Sequence, residues 1–468
     1  MCGTMCGRQA VRMPHYRQAR AERGAMDSCD RFARGLVVAA VVLFSGCATN
    51  SITGRSQLML VSEDAAVKGA VSAYSSMIGQ FSKKDQVETG TPRVARVREI
   101  TNRLVAEAVR FRPDSAGWHW EVQVINDPKV VNAFCMAGGK MGIYTGFWEK
   151  FKASDDEIAN VMGHEIGHAL ASHTREKMSV AMTVGVGSAL LGAALTGRNS
   201  NNPNAFPAAQ NALALAAAMA ITLPNSRDAE TEADQIGIEL AARAGFDPRA
   251  AVTLWEKMAK EGDTPAEFFS THPAPENRAQ RLQALVTRVD PLYQRAKDNK
   301  TAGPVPDFIG QPTNEYVVGS TTREEYTARI AAEPEVMTFV AAEFERFRKG
   351  DVVLTCGYEC VLGYGFQRGA WKTLHAKNQW RELAVAVIKV GYLNDLSYFL
   401  LGEAATGLGF RDVAKIYYAR ALAARTADKT CEGVFNTCEE FDIAQRIDTT
   451  LAVPASAAGA DKKINKNN

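Results

Sequence analysis

The sequence predicts an α+β fold: a mainly helical domain with a small β-sheet, followed by an α-helical repeat-like domain. Three observations predict it. Apolar residues recur at helical spacing over most of the chain. Two stretches within 118–146 instead alternate, or turn on glycines, as strands do. A weakly patterned stretch holding Pro304, Pro306 and Pro312 separates two helical halves. The 468 residues are 46% hydrophobic and 23% charged, which excludes a disordered or collagen-like chain. With 54 basic and 52 acidic residues there is no electrostatic case for a nucleic-acid partner, so none is expected.

Residues 1–46 hold seven arginines against Glu22, Asp27 and Asp30, so the slight positive balance of the whole chain comes from this segment. An apolar run at 36–44 and small residues follow, in the order of a secretory signal peptide. The run is far short of the ~20 residues that span a bilayer. The ending Phe44-Ser45-Gly46-Cys47 resembles a bacterial lipoprotein signal, which implies a lipid on Cys47. By the same resemblance, Ala48 favours the outer membrane. The alternative is an ordinary signal peptide that happens to contain a cysteine, and Met26 gives a more usual signal length than Met1.

Helical patterns are expected over 62–81 and 94–110, with a polar break between them. Trp118, Trp120, Val122 and Val124 alternate with polar residues as a half-buried strand. Residues 132–146 read as two strands around a glycine turn. A helix is expected over 155–173, opening on Asp155 and Asp156, where its dipole favours anions. Residues 178–195 are almost wholly apolar and small, and are read as a buried helical arm rather than a membrane span. Further helices are expected over 211–221, 228–244 (ended by Gly245), 250–261 and 277–289, and a linker over 293–329.

The chemistry concentrates in Gly163-His164-Glu165-Ile166-Gly167-His168. The spacing sets His164 and His168 one helical turn apart on one face, with Glu165 beside them. In an otherwise apolar helix such groups need partners or a metal. A catalytic zinc takes three protein ligands, so a third must come from elsewhere. Glu230 and Asp234 share a face at i,i+4; one can ligate while the other accepts the outward N–H of a ligating histidine. The sequence does not choose between the acids, and Glu232 is read as part of a solvated helix start. His173, on a continuous helix, lies about 140° off the ligand face and is read as structural or supporting. His119 and His375 are read as structural.

The histidine motif, Glu230-x-x-x-Asp234, and Ser270-Thr271-His272-Pro273 with Arg278 together resemble the M48 family of zinc metallopeptidases. Within it they resemble the periplasmic, membrane-associated branch concerned with outer-membrane protein quality control. The resemblance covers roughly residues 53–285. It implies a zincin-like domain with one Zn2+ held by His164, His168 and Glu230, Glu165 as general base and Asp234 as supporting acid. His272 and Arg278 would lie at the cleft, stabilising the tetrahedral intermediate or gating access. Asn132, Ala133, Phe134 and Gly138 would belong to an edge strand that aligns extended substrate by β-augmentation. The implied substrates are unfolded or misassembled outer-membrane proteins. The alternative is a chaperone-like scaffold of outer-membrane protein assembly with latent or weak proteolysis.

Residues 330–450 are expected as a helical unit, in which two helices joined at Gly407-Leu408-Gly409 look like a tetratricopeptide repeat. It either recruits partners, such as the outer-membrane assembly machinery, or simply caps the peptidase domain. Cys356, Cys360, Cys431 and Cys438 make two disulfides in an exported protein, with three connectivities open; in a cytosolic one they would hold zinc. Cys135 is expected as a buried free thiol. The expected organisation is signal peptide 1–46, peptidase domain 47–292, linker 293–329, helical domain 330–450 and a disordered tail over 451–468. It places the chain, lipid-anchored, on the periplasmic side of the outer membrane.

Overall fold

A computed structural model describes residues 47–50, 52–182, 216, 223–260, 266–273, 278–298, 305–309, 322–331, 336–357, 360–431, 438 and 441–452. The chain divides into Met1–Cys47 and Ala48–Asn468. The signal segment, most of the apolar arm at 178–195 and nearly all of the tail lie outside the described residues. Among those residues no helix is long and apolar enough to cross a membrane.

After strand β1 (Ser56–Leu58), helix α1 (Glu63–Ser82) starts where Ser62 accepts a hydrogen bond from the Ala65 amide. Helix α2 (Pro92–Phe111) starts with Thr91 as its cap and Pro92 in its first turn, where the missing N–H costs nothing. Its buried stripe, Val97, Ile100, Leu104, Val105, Ala108 and Phe111, follows the helical period. The sheet has three strands, β2 (Glu121–Ile125), β3 (Ala133–Met136) and β4 (Lys140–Tyr144), in the order β2-β4-β3. β2 runs parallel to β4 and β3 antiparallel to it. β3 is therefore an edge strand among the described residues. Gly138 and Gly139, at φ +78° and +76°, make the hairpin turn, a conformation that disfavours any side chain.

Helix α3 (Gly146–Phe151) leads to α4 (Asp155–Leu170), which carries the histidine motif. A capping box between Ser154 and Glu157 fixes its start. Helices α5 (Arg227–Arg243), α6 (Arg249–Lys260), α7 (Ala266–Thr271) and α8 (Arg278–Asp298) complete this part. Two expectations change here. Helix α8 runs through Pro291 to Asp298 instead of stopping before the proline. Leu292 is buried with Val289 against Ile238 and Ala242, and Tyr293 packs beside them. Burial of Leu292, about 1.5–3 kcal/mol, with the partial burial of Tyr293, offsets much of the ~3 kcal/mol cost of an internal proline. The expected linker also holds structure: Phe308 and Ile309 are buried, the Phe308 amide donates to Asn102, and α9 (Arg323–Ala331) docks its Tyr326 hydroxyl on the Ala106 carbonyl.

The C-terminal helices are α10 (Ala341–Arg348), α11 (Val361–Ala376), α12 (Trp380–Val390), α13 (Asp395–Gly407), α14 (Arg411–Thr426) and α15 (Ile443–Ala452). α13 and α14 pack together across the expected turn, with Gly409 at φ +81°. One apolar core runs continuously from the helices before residue 300 into this helical part. Small sheet and predominant helix confirm the α+β class. The four cysteines pair locally, Cys356 with Cys360 and Cys431 with Cys438, and Cys135 is free and buried.

Candidate metal centre

Helices α4 and α5 meet almost backbone to backbone. A Cβ on Gly237 would sit 2.5 Å from the His164 amide nitrogen, and one on Gly163 would sit 2.7 Å from the Gly237 carbonyl oxygen. This contact brings Glu230, on α5, to the two histidines of α4. His164, Glu165, His168, Glu230, Asp234, His272 and Arg278 are all buried. Donor atoms of His164, His168, Glu230 and His272 lie within 4.8 Å of one another.

The Nε2 atoms of His164 and His168 are 3.0 Å apart, and the Glu230 carboxylate lies 3.4 Å from the first and 3.3 Å from the second. Two nitrogens at ~2.05 Å from a tetrahedral zinc would lie about 3.3 Å apart, so the spacing fits. Asp234 Oδ1 is 3.0 Å from His164 Nδ1, the atom facing away from the cluster. Arg278 donates to Glu230 (3.1 Å) and to Asp234 (2.7 Å), with its guanidinium over the Trp255 ring. Asp234 and Arg278 thus hold the ligand set from behind.

Burial would push the Glu230 carboxyl up, but hydrogen bonds from His164, His168 and His272 outweigh it and hold the group well below the ordinary carboxylate range. Asp234 is likewise lowered against burial, by Arg278 and His164. Burial, joined by the charges of His164 and His173, lowers His168 well below its ordinary value against Glu230, whereas Asp234 and Glu230 outweigh burial at His164 and raise it to about 9. Burial also raises Glu165, whose Oε1 makes no hydrogen bond. An unsatisfied buried oxygen costs about 1–3 kcal/mol.

His272 lines the cleft and also reaches the donor cluster. Its ring stacks on Phe268, Nδ1 lies 3.1 Å from Glu230 Oε1 and 3.4 Å from His164 Nε2, and Nε2 lies 3.4 Å from Glu165 Oε1. It therefore stands among the donors as a possible fourth ligand. Asn132, Ala133 and Phe134 line the cleft with Glu165, His168 and His272. Gly138 is absent from that wall: it turns the hairpin, where a Cβ would meet Val67.

Asn225, Glu232 and Lys177 acquire a place at the site that their sequence positions did not reveal, and His173 takes the supporting one expected of it by an unexpected route. Asn225 precedes α5, and its Nδ2 donates to Glu230 (2.7 Å) while lying 3.3 Å from His272 Nδ1. His173 does not stay off the ligand face. α4 ends at Leu170, Ser172 adopts φ +57°, and a new helix over 173–182 returns His173 Nδ1 to within 2.8 Å of His168 Nδ1. Glu232 is not solvated: it is buried and lies 3.0 Å from His173 Nε2. Lys177 also lines the cleft; burial lowers its ammonium to about 8.

A buried histidine pair and glutamate on facing helices, with an unsatisfied glutamate beside them, define the metal-binding cluster of a zinc-peptidase-like domain. The sequence model of peptidase family M48 matches residues 92–286, the stretch that holds every residue of this cluster. The chain is 41% identical over 167 residues to the mitochondrial metalloendopeptidase OMA1 of Arabidopsis thaliana, covering 36% of this chain and 31% of the relative. It is 32% identical to the enzyme of that name from Schizosaccharomyces pombe, covering 50% and 64%. It is 31% identical to the beta-barrel assembly-enhancing protease of Escherichia coli, covering 38% and 36%. The chain thus spans between about a third and two thirds of the length of these curated relatives.

Proposed function

We propose that the chain is a zinc endopeptidase that cuts unfolded or misassembled envelope proteins from a lipid-anchored position on the periplasmic side of the outer membrane. One observation carries the catalytic part: His164, His168 and Glu230 converge beside Glu165, whose Oε1 makes no hydrogen bond. A zinc ion held by these three would polarise a scissile carbonyl and make a nearby water more acidic. The chain's own groups do the rest. The edge of β3 can pair with an extended peptide, giving affinity with little side-chain preference. Glu165 takes a proton from the attacking water as its oxygen bonds to the carbonyl carbon, then hands that proton to the leaving amine as the C–N bond breaks. Asp234 fixes the ring of His164, and Arg278 fixes both acids.

The compartment reading rests on the signal-like residues 1–46, on Cys47 and on two disulfides, which persist in oxidising surroundings. The name of the Escherichia coli relative is consistent with it. In this reading residues 47–292 are the catalytic domain and 330–450 a helical domain that engages partners of outer-membrane assembly. Zinc-loaded protein should cleave an unfolded substrate such as reduced casein, while Glu165→Gln should keep its zinc and lose cleavage by at least about 10²-fold. Equal rates for both would overturn the enzyme assignment. Membrane retention of a Cys47→Ala variant would overturn the lipid anchor.

His272 favours a second reading, in which the resting enzyme is latent. With Nδ1 3.1 Å from Glu230 and Nε2 3.4 Å from Glu165, its ring stands in the cleft where a substrate carbonyl would have to enter.

A further inference from the structure

We propose that His173 and Glu232, held by Arg55 and Thr53, are positioning residues that fix the tautomer and orientation of the ligand His168. The proposal rests on the metal-centre reading above and deepens it. The chain of contacts is continuous and buried. Glu232 Oε2 lies 3.0 Å from His173 Nε2, and His173 Nδ1 lies 2.8 Å from His168 Nδ1. A carboxylate only accepts, so the proton of His173 sits on Nε2 and its Nδ1 is an acceptor. His168 must then donate from Nδ1, which leaves its Nε2 lone pair directed at Glu230 and His164. One carboxylate thereby sets both rings, in the way outer groups orient metal-ligating histidines.

The carboxylate is itself fixed. Arg55 Nε donates to Glu232 Oε2 at 2.5 Å and the Thr53 hydroxyl donates to Oε1. Arg55 spends its other two nitrogens on Glu176, at 2.9 and 2.6 Å. Gln57 joins Glu176 to the Ala171 carbonyl. These residues flank β1 and clamp the turn between α4 and the helix over 173–182, the turn that brings His173 back to His168. The segment just beyond Cys47 thus reaches the metal centre through two side chains, His173 and Glu232.

The test compares zinc affinity, by competition with a fluorescent chelator, for full-length wild type, His173→Phe, His173→Gln and Glu232→Leu. His173→Phe and Glu232→Leu should bind zinc about 10–100-fold more weakly. His173→Gln, whose amide carbonyl can accept from His168 Nδ1–H, should recover most of that loss. Wild-type affinity in His173→Phe, with wild type itself loaded, would overturn the proposal and leave the metal centre standing. A wild type that binds no zinc would overturn the centre and this proposal together. If His173→Phe does not fold, nitrogen NMR of 15N-histidine-labelled, metal-free wild type decides. His173 should carry its proton on Nε2 and His168 on Nδ1, and either opposite tautomer overturns the assignment.

Discussion

His272 shows how one side chain leaves a motif with two opposite readings. The sequence pattern presents it as a cleft residue, either a donor to developing negative charge or a gate. Its Nδ1 lies 3.1 Å from Glu230, and its ring is pinned on Phe268. In the latent reading this ring stands where substrate would enter, so His272→Ala should speed cleavage. A closed site whose open form is populated at roughly 10% or less would gain about tenfold or more. A fall of 10²–10³ would instead make His272 the oxyanion donor. Asn225 carries the converse lesson. Nothing in Pro224-Asn225-Ser226 marks it beyond a place ahead of a helix, yet its amide reaches Glu230 because its backbone amide is held by the Thr271 carbonyl. That contact links positions far apart in sequence, and no local spacing reports it.

At the scale of elements, the α4–α5 contact decides whether the ligands meet. The helical periods of both segments are legible, as are the faces bearing His164, His168, Glu230 and Asp234. That the two backbones touch depends on Gly163 and Gly237 lying opposite each other, which is a matter of docking. Gly237→Ala would place a methyl 2.5 Å from the His164 amide nitrogen, against backbone that cannot swing aside. It should cost about 1–3 kcal/mol of stability, read as a lower urea midpoint with an unchanged slope, and should weaken zinc binding as well. The same reasoning explains the misread of Glu232. Two residues from Glu230 on a helix is a turn to another face, normally the wet one. Here Arg55 and Thr53 cover that face, so α5 is buried nearly all round.

Across the whole molecule, a second buried polar cluster ties the C-terminal helices. Glu403 on α13 accepts from Tyr418 (2.8 Å) and Arg446 (2.8 Å) and pairs with His375 (2.9 Å), joining α11, α13, α14 and α15. Burial raises this carboxyl, but the hydrogen bonds of His375 and Tyr418 outweigh it and leave the group below its ordinary 4.5. A lowered folded value means that the stabilisation is fully present above the unfolded value and is lost as pH falls through the folded one. Glu403→Gln should therefore lower stability by about 2 kcal/mol at neutral pH, and the gap from wild type should close in acid. Thermal melts across that range check it; a gap independent of pH would remove the carboxylate's charge from the account.

The sequence by itself determined the α+β class, the course of α1, α2 and α4 to within a few residues, and the identities of His164, Glu165 and His168. It also determined the acids of α5, though not which of them faces the metal. Each of these is written in spacings of a few residues, where helix geometry converts order directly into position. Only the tertiary structure decided that Glu230 closes the ligand set with Asp234 behind it, that α8 continues through Pro291, and that the cysteines pair locally. It alone turned His173 back onto His168, put Glu232 behind it, and set His272 among the donors. Those outcomes depend on which surfaces pack together, through a left-handed turn at Ser172 and a helix contact at Gly237, and packing between distant segments leaves no period in the sequence.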